Sequence, residues 1–181
     1  MRIHYVIIFF VFISCKTQKS QSEFDKCDFI VTENESDFDE LVSNIDETIF
    51  YKNVLDRFEK LNKGILLYTK YSNHKYGKFI LIEFTNNEMH CTQVYPNKEK
   101  NIHLDKSQEK WFQSNILLME QAYYYENCKS SSDRLNLLIV KQSDSVLLKY
   151  FSMGELYFNK TSSNKNFIRL KEFLENTASL N

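Results

Sequence analysis

The sequence predicts an α+β domain built on a mostly antiparallel sheet of about five strands, with helices packed on it. Two patterns predict this class. Apolar residues recur at helical spacing in four segments, whereas short runs rich in β-branched and aromatic residues occupy the middle of the chain. The 181 residues include 15 Phe and 11 Tyr, enough apolar surface for one core. The predicted order of elements is α-α-β-β-β-α-β-β-α.

Two helices open the predicted domain. Ser36 is typical of an N-cap, and the acidic residues that follow it favour the first turn of a helix over 37–44. A second apolar stripe predicts a helix that ends before Gly64. This stripe consists of Phe50, Val54, Phe58 and Leu61.

Three antiparallel strands follow, because short β-rich runs are separated by typical hairpin residues. In the middle run, alternation places Ile80 and Ile82 on one face and Phe79 and Leu81 on the other. Both faces are apolar, so this run is predicted to be a central strand. The three strands cover 65–71, 78–85 and 88–95.

The second half begins with the strongest helical pattern, over 106–127, where two apolar stripes predict a helix packed on the sheet. A further hairpin is predicted from 134–141 and 146–152, and a short strand from 155–159. A terminal helix over 166–176 completes the domain.

The first fifteen residues have a different character. Arg2 precedes an apolar run over 5–13, and the small Ser14 stands directly before Cys15. This segment resembles a bacterial lipoprotein signal peptide, which implies cleavage after Ser14 and lipidation of Cys15 by a diacylglycerol and usually an N-acyl chain such as palmitate. An ordinary secretory signal is the alternative, because Phe12 stands where lipoprotein signals usually carry Leu, Val or Ile. A membrane span is excluded, because nine helical residues reach about 14 Å and the hydrocarbon core is about 30 Å thick.

The resemblance implies a signal peptide over 1–14 and a lipidated Cys15. The polar residues that follow have no apolar periodicity and predict a flexible tether, so that Cys15 and the tether cover 15–26. The size and apolar content of the remainder predict a single domain over 27–181. The protein is then exported and anchored through its lipid to the bacterial cell membrane or outer membrane. Removal of the signal peptide takes away Arg2 and no acid, so the formal net charge falls from −1 to −2. This balance argues against a nucleic-acid partner, which usually requires a basic surface.

Three cysteines remain in the predicted domain, and an oxidising compartment permits one disulfide among them. Sequence leaves the connectivity open. We favour Cys91–Cys128, because Cys91 lies in a predicted strand and Cys128 follows a predicted helix that runs back along it. The same cysteines with His90 and His103 have the atom types for zinc, but adjacent strand residues such as His90 and Cys91 point to opposite faces. No metal site is predicted.

Catalytic motifs are absent from the sequence. The three glycines are far apart, so no glycine-rich loop can hold a phosphate, and no cofactor is predicted. Neither a nucleophile elbow nor a paired-cysteine motif occurs. These absences favour a non-catalytic module that binds a protein or an envelope component. An inhibitor or immunity-type protein that captures an enzyme or toxin is one alternative, and a hydrolase whose site assembles from distant segments is another.

The best candidate for a binding surface is the predicted hairpin over 70–78, where aromatic and cationic residues concentrate. Tyrosine rings stack on sugars or contact proteins, and lysines attract acidic groups. The alternative is structural, because tyrosines pack at sheet edges and lysines protect exposed edges from association. The candidate residues are Tyr71, His74, Lys75 and Tyr76.

Overall fold

The computed structural model describes residues 27–43, 45–85, 88–128, 134–153 and 165–180, with the backbone alone at 27–29, 127 and 128. These residues form an α+β fold of four helices and eight strands, which confirms the predicted class. The helices are α1 (Glu35–Leu41), α2 (Ile49–Glu59), α3 (Lys106–Ile116) and α4 (Lys165–Ala178). The strands are β1 (Cys27–Thr32), β2 (Gly64–Tyr71), β3 (Lys78–Thr85), β4 (Glu88–Tyr95), β5 (Lys98–Ile102), β6 (Ala122–Cys128), β7 (Arg134–Gln142) and β8 (Ser145–Met153).

The predicted signal peptide over 1–14 and the predicted tether over 15–26, with Cys15, lie outside the described residues, as does the strand predicted over 155–159. None of the helices in the described ranges has the length and apolar character to cross a membrane.

One sheet contains all eight described strands, in the order β1-β6-β8-β7-β2-β3-β4-β5. Every neighbouring pair is antiparallel except β6 and β8, which are parallel. The sheet is therefore larger than the predicted five strands, and it is mixed. The additional strands are β1, β5 and β6.

Helices cover both faces of the sheet, and the alternation of β3 shows how. Ile80 and Ile82 belong to an apolar cluster that includes residues of α3 and α4. Phe79 and Leu81 belong to a second cluster, formed with residues of α1 and α2. All four side chains are buried, so the prediction of a central strand with two apolar faces is confirmed. The fold thus has three layers, with the sheet between two pairs of helices.

The single helix predicted over 106–127 is wrong. Helix α3 ends at Ile116, and the chain then enters β6 at Ala122. In β6 the consecutive tyrosines alternate between the two apolar clusters, so that Tyr123 and Tyr124 are both buried on opposite faces. A strand between two others buries both of its faces, and aromatic residues favour that environment. The helical spacing of the apolar residues beyond Ile116 arose by chance and did not reflect a helix.

The connection between α3 and β6 is held by a residue of α4. The Asn166 side chain donates to the Glu120 carbonyl at 2.9 Å and accepts from the Glu120 N–H at 3.0 Å. Both backbone groups of Glu120 are thereby satisfied by one amide, 46 residues away in sequence. This contact fixes the point at which the chain leaves α3 and turns into the sheet.

Candidate functional site

A groove lies at the tip of the β2–β3 hairpin, beside the turn between β4 and β5. Its volume is about 580 Å³, within the range of small-ligand sites. All four residues that the sequence singled out line it, and the structure therefore brings them together. The lining consists of Thr69, Tyr71, Asn73, His74, Lys75, Tyr76, Gly77, Lys78, Tyr95 and Pro96. We call this feature the tip groove.

Tyr71, the last residue of β2, is held by three contacts although its side chain is 43% exposed. The Tyr71 carbonyl accepts from the His74 N–H at 2.9 Å, which closes the turn after the strand. The His74 ring approaches the Tyr71 ring in an edge geometry, with centroids 5.6 Å apart. The Arg134 guanidinium lies 5.9 Å from the Tyr71 ring centre. One aromatic wall of the groove is thus oriented before any ligand arrives.

Tyr76 forms a second aromatic wall and is 38% exposed. Its ring makes an edge contact with Phe50 of α2, with centroids 6.3 Å apart. The Lys75 ammonium lies 5.1 Å from the Tyr76 ring centre, within the range of a cation–π contact. Helix α2 therefore contacts the hairpin tip through Phe50 and helps to position Tyr76.

Tyr68 lies behind the groove and is fully buried. A Cβ atom on Gly77 would come within 2.3 Å of the Tyr68 ring, so only glycine fits at that groove position without a shift. The Tyr68 hydroxyl donates to the Asp46 carboxylate. The Lys70 ammonium contacts the same carboxylate oxygen at 2.9 Å. The end of β2 nearest the hairpin tip is thereby tied to the segment that precedes α2.

The Asp46 carboxylate is buried, and its charge is stabilised by its partners. The Thr48 N–H donates to it at 2.8 Å, in addition to the bonds from Tyr68 and Lys70. Burial alone raises the pKa of Asp46, but the hydrogen bonds from Tyr68, Lys70 and Thr48 outweigh it and lower the pKa to about 2. Burial and the neighbouring carboxylate raise the pKa of Tyr68, so its phenol stays protonated.

The tip groove carries positive charge. Lys75 and Lys78 line it, and no carboxylate is among the lining side chains that the structure describes. Partial burial lowers the pKa of Lys78, and the nearby Arg134 lowers it further through like-charge repulsion. The lining side chains that the structure describes therefore give the groove a cationic surface.

Sequence reasoning did not find the far wall of the groove. Tyr95 is the last residue of β4 and Pro96 begins the turn that follows it, beside the tip of the neighbouring hairpin. The Lys98 ammonium lies 5.1 Å from the Tyr95 ring centre and adds another cation at this edge. The only signal available was the single proline of the chain, which marks the turn but not its neighbours.

The predicted Cys91–Cys128 disulfide is wrong. Cys91 is a free, buried thiol in β4. Strands β8, β7, β2 and β3 separate β4 from β6, so the two cysteines are on the order of 24 Å apart across the sheet. The prediction failed because it placed Cys128 at the end of a helix rather than in a distant strand. Across the described ranges, no three His, Cys, Asp or Glu side chains lie close enough to hold a metal ion.

The lining of the tip groove combines aromatic rings with ammonium groups. Aromatic faces stack on the apolar faces of sugars, and ammonium groups bind carboxylate or phosphate oxygens. The lining offers both kinds of contact from a preformed hairpin. No protein-family model, curated protein or solved structure matches this chain.

Proposed function

We propose that this protein is a lipid-anchored protein of the bacterial cell envelope that binds its ligand at the tip groove without catalysing a reaction. The lipid anchor rests on the signal-like segment that ends at Cys15. The binding role rests on one observation, the collection of Tyr71, Tyr76, Lys75 and Lys78 around a cavity of about 580 Å³. Residues from two hairpins line the cavity. The Tyr71 ring contacts Arg134, and the Tyr76 ring contacts Phe50.

In this proposal Asp46 holds the hairpin in place and does not donate a proton to a ligand. Asp46 is bonded to Tyr68, Lys70 and Thr48, and its pKa of about 2 keeps it ionised near neutral pH. A general acid needs a pKa near the working pH, so Asp46 is unsuited to donate a proton there. Its place is structural, because it joins the hairpin to the segment before α2.

The ligand that suits the groove best is an acidic saccharide of the cell envelope. Tyr71 and Tyr76 present partly exposed rings suited to stacking on sugar faces. Lys75 and Lys78 supply the charge that a carboxylate or phosphate substituent requires. The concave shape favours a ligand that enters a cleft, whereas protein partners usually dock on larger and flatter surfaces.

Calorimetric titration of the purified protein with oligogalacturonate, an acidic saccharide, and with a neutral galacto-oligosaccharide tests the proposal. We expect binding of the acidic probe only, with an affinity that falls as salt is raised. Tyr76→Ala should weaken binding about tenfold, or about 1.4 kcal/mol, because it removes one stacking face. Lys75→Ala should reduce both the affinity and its salt dependence.

Lys110→Ala is the matched control, since Lys110 is an exposed lysine of α3 on the other helical layer. Its affinity should equal that of the unaltered protein. Equal loss in Lys110→Ala and Lys75→Ala would show that general charge, and not the tip groove, attracts the probe. Tight one-to-one capture of an envelope enzyme or toxin, with no saccharide binding, would instead favour the inhibitor class.

A further inference from the structure

Strand β1 is an edge strand, and its position is unusual in one respect. Among the strands that the structure describes, β1 pairs with β6 alone, and in that antiparallel pair Cys27 lies directly opposite Cys128. The register continues without a break from Asp28 opposite Asn127 to Thr32 opposite Tyr123. The two cysteines therefore occupy the terminal position of a regular ladder.

We propose that Cys27 and Cys128 form a disulfide bond that links β1 covalently to β6. Directly opposed residues of an antiparallel pair have Cα atoms about 4.5 or 5.5 Å apart, depending on whether the pair is hydrogen-bonded. Disulfides span Cα separations of about 4.4–6.8 Å, so either kind of position satisfies the requirement. Directly opposed residues also lie on the same face of the sheet.

Cys91, the remaining cysteine of the domain, does not compete for either partner. It lies in β4 as a buried free thiol, and four strands separate it from β6. The register thus leaves Cys27 and Cys128 as the pair that an oxidising compartment joins. This proposal rests on the export that belongs to the proposed function.

The bond would close the domain at the end nearest the lipid anchor. The tether over 15–26 leads directly into Cys27, so a pull between the membrane and the domain acts first on β1. An edge strand has hydrogen bonds to one neighbour only and is the easiest strand to peel away. A covalent link at its first residue prevents that separation before any ladder bond breaks.

Formation of the bond is a two-electron oxidation. Each thiol loses a proton and the two sulfur atoms join, while two electrons pass to a disulfide-bearing oxidant of the thiol oxidoreductase class. That oxidant takes up two protons and is released as a dithiol. The exchange proceeds through a mixed disulfide with one of the two cysteines.

Peptide mapping of the full chain from envelope fractions tests the proposal, because trypsin places each cysteine in a separate peptide. Free thiols are alkylated first, and the digest is analysed without reductant by mass spectrometry. We expect a linked pair of the peptides over 27–52 and 111–129, which separates on reduction. Cys91, in the peptide over 79–98, should be unlinked.

A second arm separates this proposal from the question of export. The same chain is purified reduced, oxidised in a glutathione buffer and mapped again. A linked 27–52/111–129 pair in this arm supports the disulfide. If the pair is linked here but the protein from cells is reduced, the result contradicts export and not the disulfide. Alkylation of both cysteines after oxidation, or a link from Cys27 to Cys15, would overturn the proposal. The Cys91→Ala variant should keep the link. Reductant should lower the urea midpoint of that variant, whereas it should leave the urea midpoint of the Cys27→Ser/Cys128→Ser variant unchanged.

Discussion

The Tyr68 hydroxyl donates its hydrogen bond to the Asp46 carboxylate, and the Lys70 ammonium contacts the same carboxylate oxygen. Tyr68 and Lys70 belong to β2, whereas Asp46 belongs to the segment before α2, 22 residues earlier than Tyr68. The contact therefore joins a helical layer to the hairpin that carries the tip groove. Because all partners of Asp46 stabilise its charged form, the connection depends on pH.

Stability should fall as the pH drops through the acid range. The pKa of Asp46 is lowered from 3.8 to about 2 in the folded protein, so its ionised form favours the native state above the unfolded pKa. This contribution, about 2 kcal/mol, is present above about pH 4 and is lost as the pH falls to about 2. Urea unfolding over this window measures it. Asp46→Asn should show a flatter profile, and an equally steep profile in that variant would assign the acid sensitivity to other carboxylates.

Tyr68→Phe should destabilise the protein by about 1–3 kcal/mol, because it removes a donor from a buried carboxylate. The apolar ring and its packing remain, so the loss reports the hydrogen bond. The urea midpoint measures the change. Tyr76→Phe is the control, because Tyr76 is partly exposed and surface changes usually stay within about 0.5 kcal/mol. Equal stability of the two variants would argue against a significant bond at Asp46.

Gly77→Ala should destabilise the hairpin and deform the tip groove. The added methyl group would lie 2.3 Å from a buried Tyr68 ring atom, and forced overpacking of this kind typically costs about 1–3 kcal/mol. Thermal unfolding measures the loss, and near-ultraviolet circular dichroism reports any displacement of tyrosine. Asn73→Ala, at an exposed position of the same hairpin, should leave both signals unchanged. Native stability in Gly77→Ala would mean that Tyr68 moves aside at little cost.

Cys91 should resist alkylation until the protein unfolds. Its side chain is buried, and burial raises the pKa of the thiol to about 12, so little reactive thiolate forms near neutral pH. Timed iodoacetamide treatment followed by mass spectrometry of the peptide over 79–98 measures the rate. Labelling should become rapid in concentrated urea. Rapid labelling without denaturant would show that β4 opens locally in the native state.

Cys15→Ala should release the protein from the membrane. If Cys15 is lipidated after cleavage, the mature protein carries acyl chains, and each buried methylene adds about 0.8 kcal/mol to membrane binding. Mass spectrometry of membrane and soluble fractions from a bacterial host measures cleavage, acylation and partitioning together. Cys91→Ala should stay in the membrane fraction. An unmodified Cys15 in a soluble product would leave a freely secreted domain.

Local pattern was sufficient for much of the fold. The alternation from Phe79 to Ile82 predicted a buried central strand, because a two-residue period can be recognised within a few neighbouring residues. The apolar stripe that includes Phe58 predicted helix α2 in the same way. The turn-forming residues after Tyr71 predicted the end of β2. For the same reason the four groove residues of one hairpin tip were predicted together.

Tertiary structure decided what local pattern could not. The apolar residues from Ala122 to Tyr125 fit a helix as well as a strand, and only pairing with β1 and β8 made the strand the better way to bury both faces. The far wall of the groove at Tyr95, the bond from Tyr68 to Asp46 and the register of Cys27 with Cys128 join segments distant in sequence. Periodicity records the environment of one segment, whereas these contacts depend on which segments become neighbours when the sheet assembles.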